Sequence, residues 1–276
     1  MNAAAGPTLV YVYAVTPPAP VLEGVLAHLT GVSGSPVTLL APSGEGSAPV
    51  AFVVSDVPYA DWAEDVLKHR FEDLRWLEET ARAHHLVIET LAAHITVLPL
   101  RMATLYQDRT RALQALQLQG QEFATQLARL SAHTEYGVKI YVRPAAEPDP
   151  AAAPAPATPG KAYLQARRAH HHAREDHYRQ AQSAADRIAG IAQDHAAQYV
   201  RHAPQSGPLA AQADGENVLN YAFLVPDARA EAFQAALHEV AEALPGIRLE
   251  VTGPWAPYSF ATASATPPVP PGSPMA

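Results

Sequence analysis

The chain has 276 residues, 48% of them hydrophobic and 17% charged, which is enough apolar surface to bury one large or two small cores and predicts a globular protein. Its formal net charge of −8 argues against nucleic-acid binding, which needs a basic surface, and the absence of cysteine removes disulfides, thiolate nucleophiles and cysteine-bound zinc together. Residues 1–7 carry no basic segment and no apolar run nears the roughly 20 residues that span a bilayer, so neither a secretion signal nor membrane insertion is expected and a cytoplasmic location follows.

Residues 9–15 are β-branched and aromatic, read as a strand buried on both faces, and stop at Pro17-Pro18. Residues 21–29 offer Leu22, Val25 and Leu29 on one helical face, and strands follow at 37–40 and 50–54. From Tyr59 to Ala93 apolar residues recur at three- and four-residue steps, which predicts helix with a bend near 70–73. Residues 95–98 return to strand and Pro99 ends it. The order is β-α-β-β-α-β, that of a ferredoxin-like unit.

The second half repeats the order. Residues 101–106 read as a short strand, and Asp108 caps a helix with the stripe Leu113, Leu116, Phe123, Leu127 and Leu130. Residues 135–142 alternate as a strand covered on one side, 218–225 form another, Asp227 caps a helix that Gly246 ends, and 247–251 close the unit. Between its second and third strands lies an insertion. Residues 144–160 are almost wholly proline, alanine and acidic residues, a linker, and 161–202 form a long helix with a small-residue stripe through Ala181, Ala184 and Ile188. The expected fold class is therefore α+β: one ferredoxin-like domain over 1–99, a second over 100–260 carrying the linker and long helix, and a disordered tail over 261–276.

The last ordered stretch, Gly253-Pro254-Trp255-Ala256-Pro257-Tyr258-Ser259-Phe260, holds two prolines that fix their own φ, which predicts a stiff strap. Trp255, Tyr258 and Phe260 are each worth roughly 1.5–3 kcal/mol when buried, so they either latch the C-terminus or dock a partner.

Blocks of this chain resemble, in order, the gas vesicle GvpL/GvpF family: Tyr11-Val12-Tyr13, Ile95-Thr96-Val97-Leu98-Pro99-Leu100-Arg101, Glu135-Tyr136-Gly137-Val138-Lys139, Gly160-Lys161-Ala162-Tyr163-Leu164, Asn220-Tyr221-Ala222-Phe223-Leu224-Val225, and the closing strap. Two departures stand out. Met102-Ala103 replaces the usual Phe-Gly, which bears on any role of a bare backbone at position 103, and Ala256 stands where proline is frequent. The resemblance implies an accessory protein of gas vesicle formation that associates with the small hydrophobic shell protein and other vesicle proteins, at the vesicle or in the cytoplasm.

Side chains that could carry chemistry read as structural. Six of the thirteen histidines lie between His170 and His202, but His170-His171-His172 are consecutive, point about 100° apart on a helix, and are not expected to converge on one metal. Glu64-Asp65, Glu72-Asp73 and Glu78-Glu79 have arginines within helical reach and read as surface ion pairs. No Gly-rich phosphate loop is present, and Ser259 has no histidine nearby in sequence. Arg101, after a strand and a proline, is expected partly buried, with Glu135 as a possible companion. The reading is a non-enzymatic assembly factor without cofactor or metal, whose interaction residues are Arg101, Trp255, Tyr258 and Phe260. The alternative is a small-molecule enzyme or sensor on a ferredoxin-like scaffold, which would need an enclosed cavity with convergent polar groups.

Overall fold

Thr8–Thr16 (β1) is buried along all but its first residue because it lies between two other strands and is covered on both faces, as its unbroken apolar run predicts. It belongs to the first of two units in a computed structural model that describes residues 6–42, 49–144, 159–204 and 215–261, the side chains of 159–163 and 166 excepted. Among the described residues the first unit runs to His133 and takes back Trp255 to Ala261; the second spans Thr134 to Pro254. Most of the linker and all of the tail beyond Ala261 lie outside the described residues.

In the first unit β1 is followed by α1 (Val21–Leu26), β2 (Thr38–Leu40), β3 (Ala51–Pro58), three helical pieces α2 (Tyr59–Trp62), α3 (Glu64–Arg70) and α4 (Leu74–Ala92), then β4 (Leu98–Tyr106) and α5 (Arg109–Leu130). The sheet order is β2-β3-β1-β4, with every pairing antiparallel. The bend expected near 70–73 forms because Asp73 caps α4, its carboxylate accepting from the N–H groups of Arg75 (3.0 Å) and Trp76 (3.2 Å). A second break falls at Ala63, whose ψ of 151° is extended. On one face of the sheet Tyr11, Tyr13 and Val53 pack with Trp62, Val87, Ile88 and Leu91. Phe52, next to Val53 and so on the opposite face, meets Phe123 of α5 at 5.9 Å.

Gly31 is required by this packing. The Tyr13 hydroxyl accepts from the Val32 N–H at 2.9 Å and donates to Ser55 Oγ at 3.0 Å, and a Cβ at position 31 would overlap that hydroxyl.

The second unit contains β5 (His133–Val142), α6 (Pro159–His195), β6 (Gln198–Arg201), β7 (Glu216–Pro226), α7 (Ala230–Ala243) and β8 (Ile247–Trp255), in the sheet order β6-β7-β5-β8. Ala181, Ala184, Ile188 and Ala192 of α6 are buried with Tyr136, Val138, Ile140, Phe223, Phe233 and Leu237 in its core. The small residues let α6 approach α7 and β7 closely.

The β-α-β-β-α-β order thus forms twice, with the first and third strands central each time, but several segments serve differently from expectation. Pro99 does not end a strand: it pairs with Ala14 inside β4, an edge strand where a residue without an N–H is tolerated. Residues 101–106 are the rest of β4, so the segment expected to open the second unit completes the first. The long helix is the connection between β5 and β6, not an insertion after a second strand. β6 itself, four residues long, falls within the stretch expected to be helical to His202. Asp108 caps α5 as expected, accepting from the Arg111 N–H at 2.8 Å. Asp227 instead accepts from the Thr134 hydroxyl at 2.7 Å, and a 3-10 turn intervenes before α7.

Candidate interaction surface

Two consecutive histidines of α4 divide the first unit between interior and surface, because neighbouring helical side chains diverge by about 100°. His84 points inward and is 5% exposed. Its Nε2 lies 3.2 Å from the Leu100 carbonyl, which can only accept, so Nε2 carries the proton and Nδ1 accepts from the Tyr11 hydroxyl at 2.8 Å. The Tyr11 oxygen in turn accepts from the Ala103 N–H at 3.2 Å. Burial pushes the His84 pKa down to about 4 and raises that of Tyr11, so both are neutral at physiological pH.

His85 points outward and receives the C-terminal strap. Its Nδ1 is 3.0 Å from the Tyr258 hydroxyl, and the Trp255 and Tyr258 rings each lie 5.8 Å from its own. One helical turn on, Glu89 Oε1 accepts from the Ala256 N–H at 3.0 Å. Arg129 of α5 donates to the Phe260 carbonyl at 2.7 Å, and the Phe260 ring is fully buried. The strap therefore has an inner residue, Phe260, a hinge of main-chain bonds, and an outer residue, Trp255, that remains 41% exposed. Within the strap, Trp255 ends the edge strand β8 and Tyr258–Phe260 form a single 3-10 turn.

Arg101 lies in an irregular part of β4. Between the pairs Val12 with Thr104 and Ala14 with Pro99, residues 100–103 stand opposite Tyr13 alone, so the strand bulges outward. The Arg101 side chain is exposed, contrary to the expected burial, and its carbonyl accepts from the Thr104 hydroxyl at 2.7 Å. Glu135, in β5 of the second unit, is buried. Ala103 takes φ +61°, the left-handed region. That conformation is costly for a residue with a Cβ and natural for glycine.

Of the four residues singled out from sequence, the structure brings Trp255, Tyr258 and Phe260 together on α4 and α5, while Arg101 is exposed in the bulge of β4. His85, Glu89 and Arg129, which hold the strap, meet it across 131 to 173 residues of sequence, and His84 meets Tyr11 across 73. In the second unit three charged side chains on β5 and β8 pair with each other. Arg248 bonds Glu250 at 2.7 Å and lies 3.9 Å over the Tyr141 ring, while Lys139 reaches Glu250 at 3.5 Å.

The sequence profile described as "Gas vesicle synthesis protein GvpL/GvpF" matches residues 9–262. The chain belongs to the GvpL/GvpF family. It is 38% identical over 260 residues to "Gas vesicle protein L" of Streptomyces sp. (strain CB03234), covering 92% of each chain. The fold resembles the crystal structure of the gas vesicle protein GvpF from Anabaena sp. PCC7120, with a TM-score of 0.64 at 18% identity over 94% of this chain and 98% of that one. It is also similar to GvpF from Microcystis aeruginosa, with a TM-score of 0.61 at 19% identity over 92% and 99%.

Membership in the GvpL/GvpF family gives the bulge a further meaning. The family match runs through β4, and it is at Ala103 that the backbone turns left-handed and donates to Tyr11. No helix among the described residues is long and apolar enough to cross a membrane.

Proposed function

We propose that this GvpL/GvpF-family chain is an accessory assembly factor of gas vesicle formation, acting in the cytoplasm and at the vesicle by protein contact with the hydrophobic shell protein and other vesicle proteins, without turning over a substrate. Family membership over nearly the whole chain is the observation that carries the reading. The disposition of reactive side chains supports it. His84 is spent on Tyr11 and the Leu100 carbonyl, and Glu64 of α3 and Glu78 and Glu79 of α4 sit in exposed i,i+4 pairs with Lys68, Arg82 and Arg75.

A shell subunit with an apolar face must be masked until it joins the wall, or it aggregates. Trp255 is the aromatic of the strap that latching leaves half-exposed, and it serves as the contact residue. Co-expression of the full chain with the shell protein is expected to yield a complex that survives purification, and Trp255→Ala to weaken it while leaving the fold intact. A wild-type chain that retrieves no vesicle protein, together with normal vesicles in a deletion strain, would remove the proposal.

A further inference from the structure

On the outer face of α6 the side chains of His171, His172 and Glu175 converge, although consecutive histidines on an ideal helix diverge. His171 Nδ1 lies 3.4 Å from Glu175 Oε1, reached from one full turn away, and His172 Nδ1 lies 3.4 Å from Oε2, reached from three residues away. The two imidazoles therefore approach one carboxylate, one at each oxygen, their rings nearly perpendicular at 87°. One donor atom from each of the three residues lies within 4.8 Å of the other two.

Those spacings suit a metal ion. Donors held at about 2.1 Å in tetrahedral geometry stand about 3.4 Å apart, the separation already found between each imidazole and the carboxylate. Two neighbouring cations on the C-terminal side are turned elsewhere. Arg179 pairs with Asp176, and the Arg174 guanidinium lies 5.6 Å over the Tyr178 ring. An open groove of about 550 Å³, lined by His171, Arg174, Glu175, Tyr178 and Arg179, leaves room for water to complete the coordination.

We propose that His171, His172 and Glu175 form a binding site for a borderline divalent cation of the zinc, cobalt and nickel class. Two imidazole nitrogens and one carboxylate favour those ions over magnesium and calcium, which prefer all-oxygen shells. The site pins one turn of a helix whose described residues from Leu164 to His172 are all exposed, in a stretch that takes little support from the core. It is independent of the role in vesicle assembly.

The test is a Co²⁺ titration of the full chain, free of any affinity tag, followed by visible absorption and calorimetry. Saturable binding of one equivalent is expected, with visible bands that Zn²⁺ bleaches. His171→Ala, His172→Ala and Glu175→Gln should each weaken it by about tenfold or more, the scale at which even supporting residues of metal sites act. His170→Ala, one residue away and equally exposed, should leave the affinity unchanged. No saturable binding, or an equal loss from His170→Ala and His171→Ala, would show that the two imidazoles merely share a carboxylate. All four positions are exposed, so the variants are expected to fold, and far-UV circular dichroism checks it.

Discussion

A proton added to His84 has nowhere to sit in the folded chain. Nε2 already donates to the Leu100 carbonyl, and protonating Nδ1 would displace the Tyr11 hydroxyl proton from its acceptor. Burial lowers the folded pKa to about 4 from an ordinary 6.5, so between those values the unfolded chain binds a proton that the folded chain does not. Stability is therefore full above pH 6.5 and is lost as the pH falls toward 4, by about 3 kcal/mol in all at 1.36 kcal/mol per unit. Urea midpoints at pH 7 and 4.5 should show this loss in the wild type and a shallower one in His84→Gln. An equally steep acid loss in the variant would exclude His84 as its source. Local spacing cannot reveal that His84 meets Tyr11, because that pairing is made by the sheet, 73 residues away.

At the scale of elements, the strap divides its energy unequally. Phe260 is fully enclosed, so Phe260→Ala is expected to destabilise the first unit by about 3–5 kcal/mol, while Trp255→Ala should cost no more than about 1 kcal/mol. Urea unfolding followed by the fluorescence of Trp62 and Trp76 measures both; similar losses would show that the strap packs through its outer residue. The aromatic character of the strap is legible from the chain alone. Which ring is inside is not, since Trp255, Tyr258 and Phe260 are all aromatic and the choice is made by α4 and α5. The same limit explains β4. Pro99 reads locally as a stop, and only the position of β4 at the sheet edge, pairing Pro99 with Ala14, lets the strand continue through it.

For the whole molecule, the first unit is closed by residues from the far end of the chain. A fragment of residues 1–133 lacks Ala256 and Phe260 and should unfold at lower urea than the first unit does in the full chain, with all three tryptophans of the full chain reporting on that unit. Equal midpoints would mean that the strap adds nothing to its core. The family blocks span nearly the whole chain and announce membership before any coordinate is known, because they are patterns of residue type in order.

Residue type and order also suffice for the α+β class, the β-α-β-β-α-β order of the first unit, the cap at Asp108 and the bulk of the helices, since each depends on periodicity or on bonds within a few residues. Tertiary structure decided the rest: that residues 101–133 complete the first unit, that the long helix is a connection between paired strands, that Arg101 faces solvent, and that two neighbouring histidines on α6 reach one carboxylate. Those outcomes depend on which strand finds which edge and which side chain finds which distant partner, and such contacts leave no imprint on the local spacing of residues.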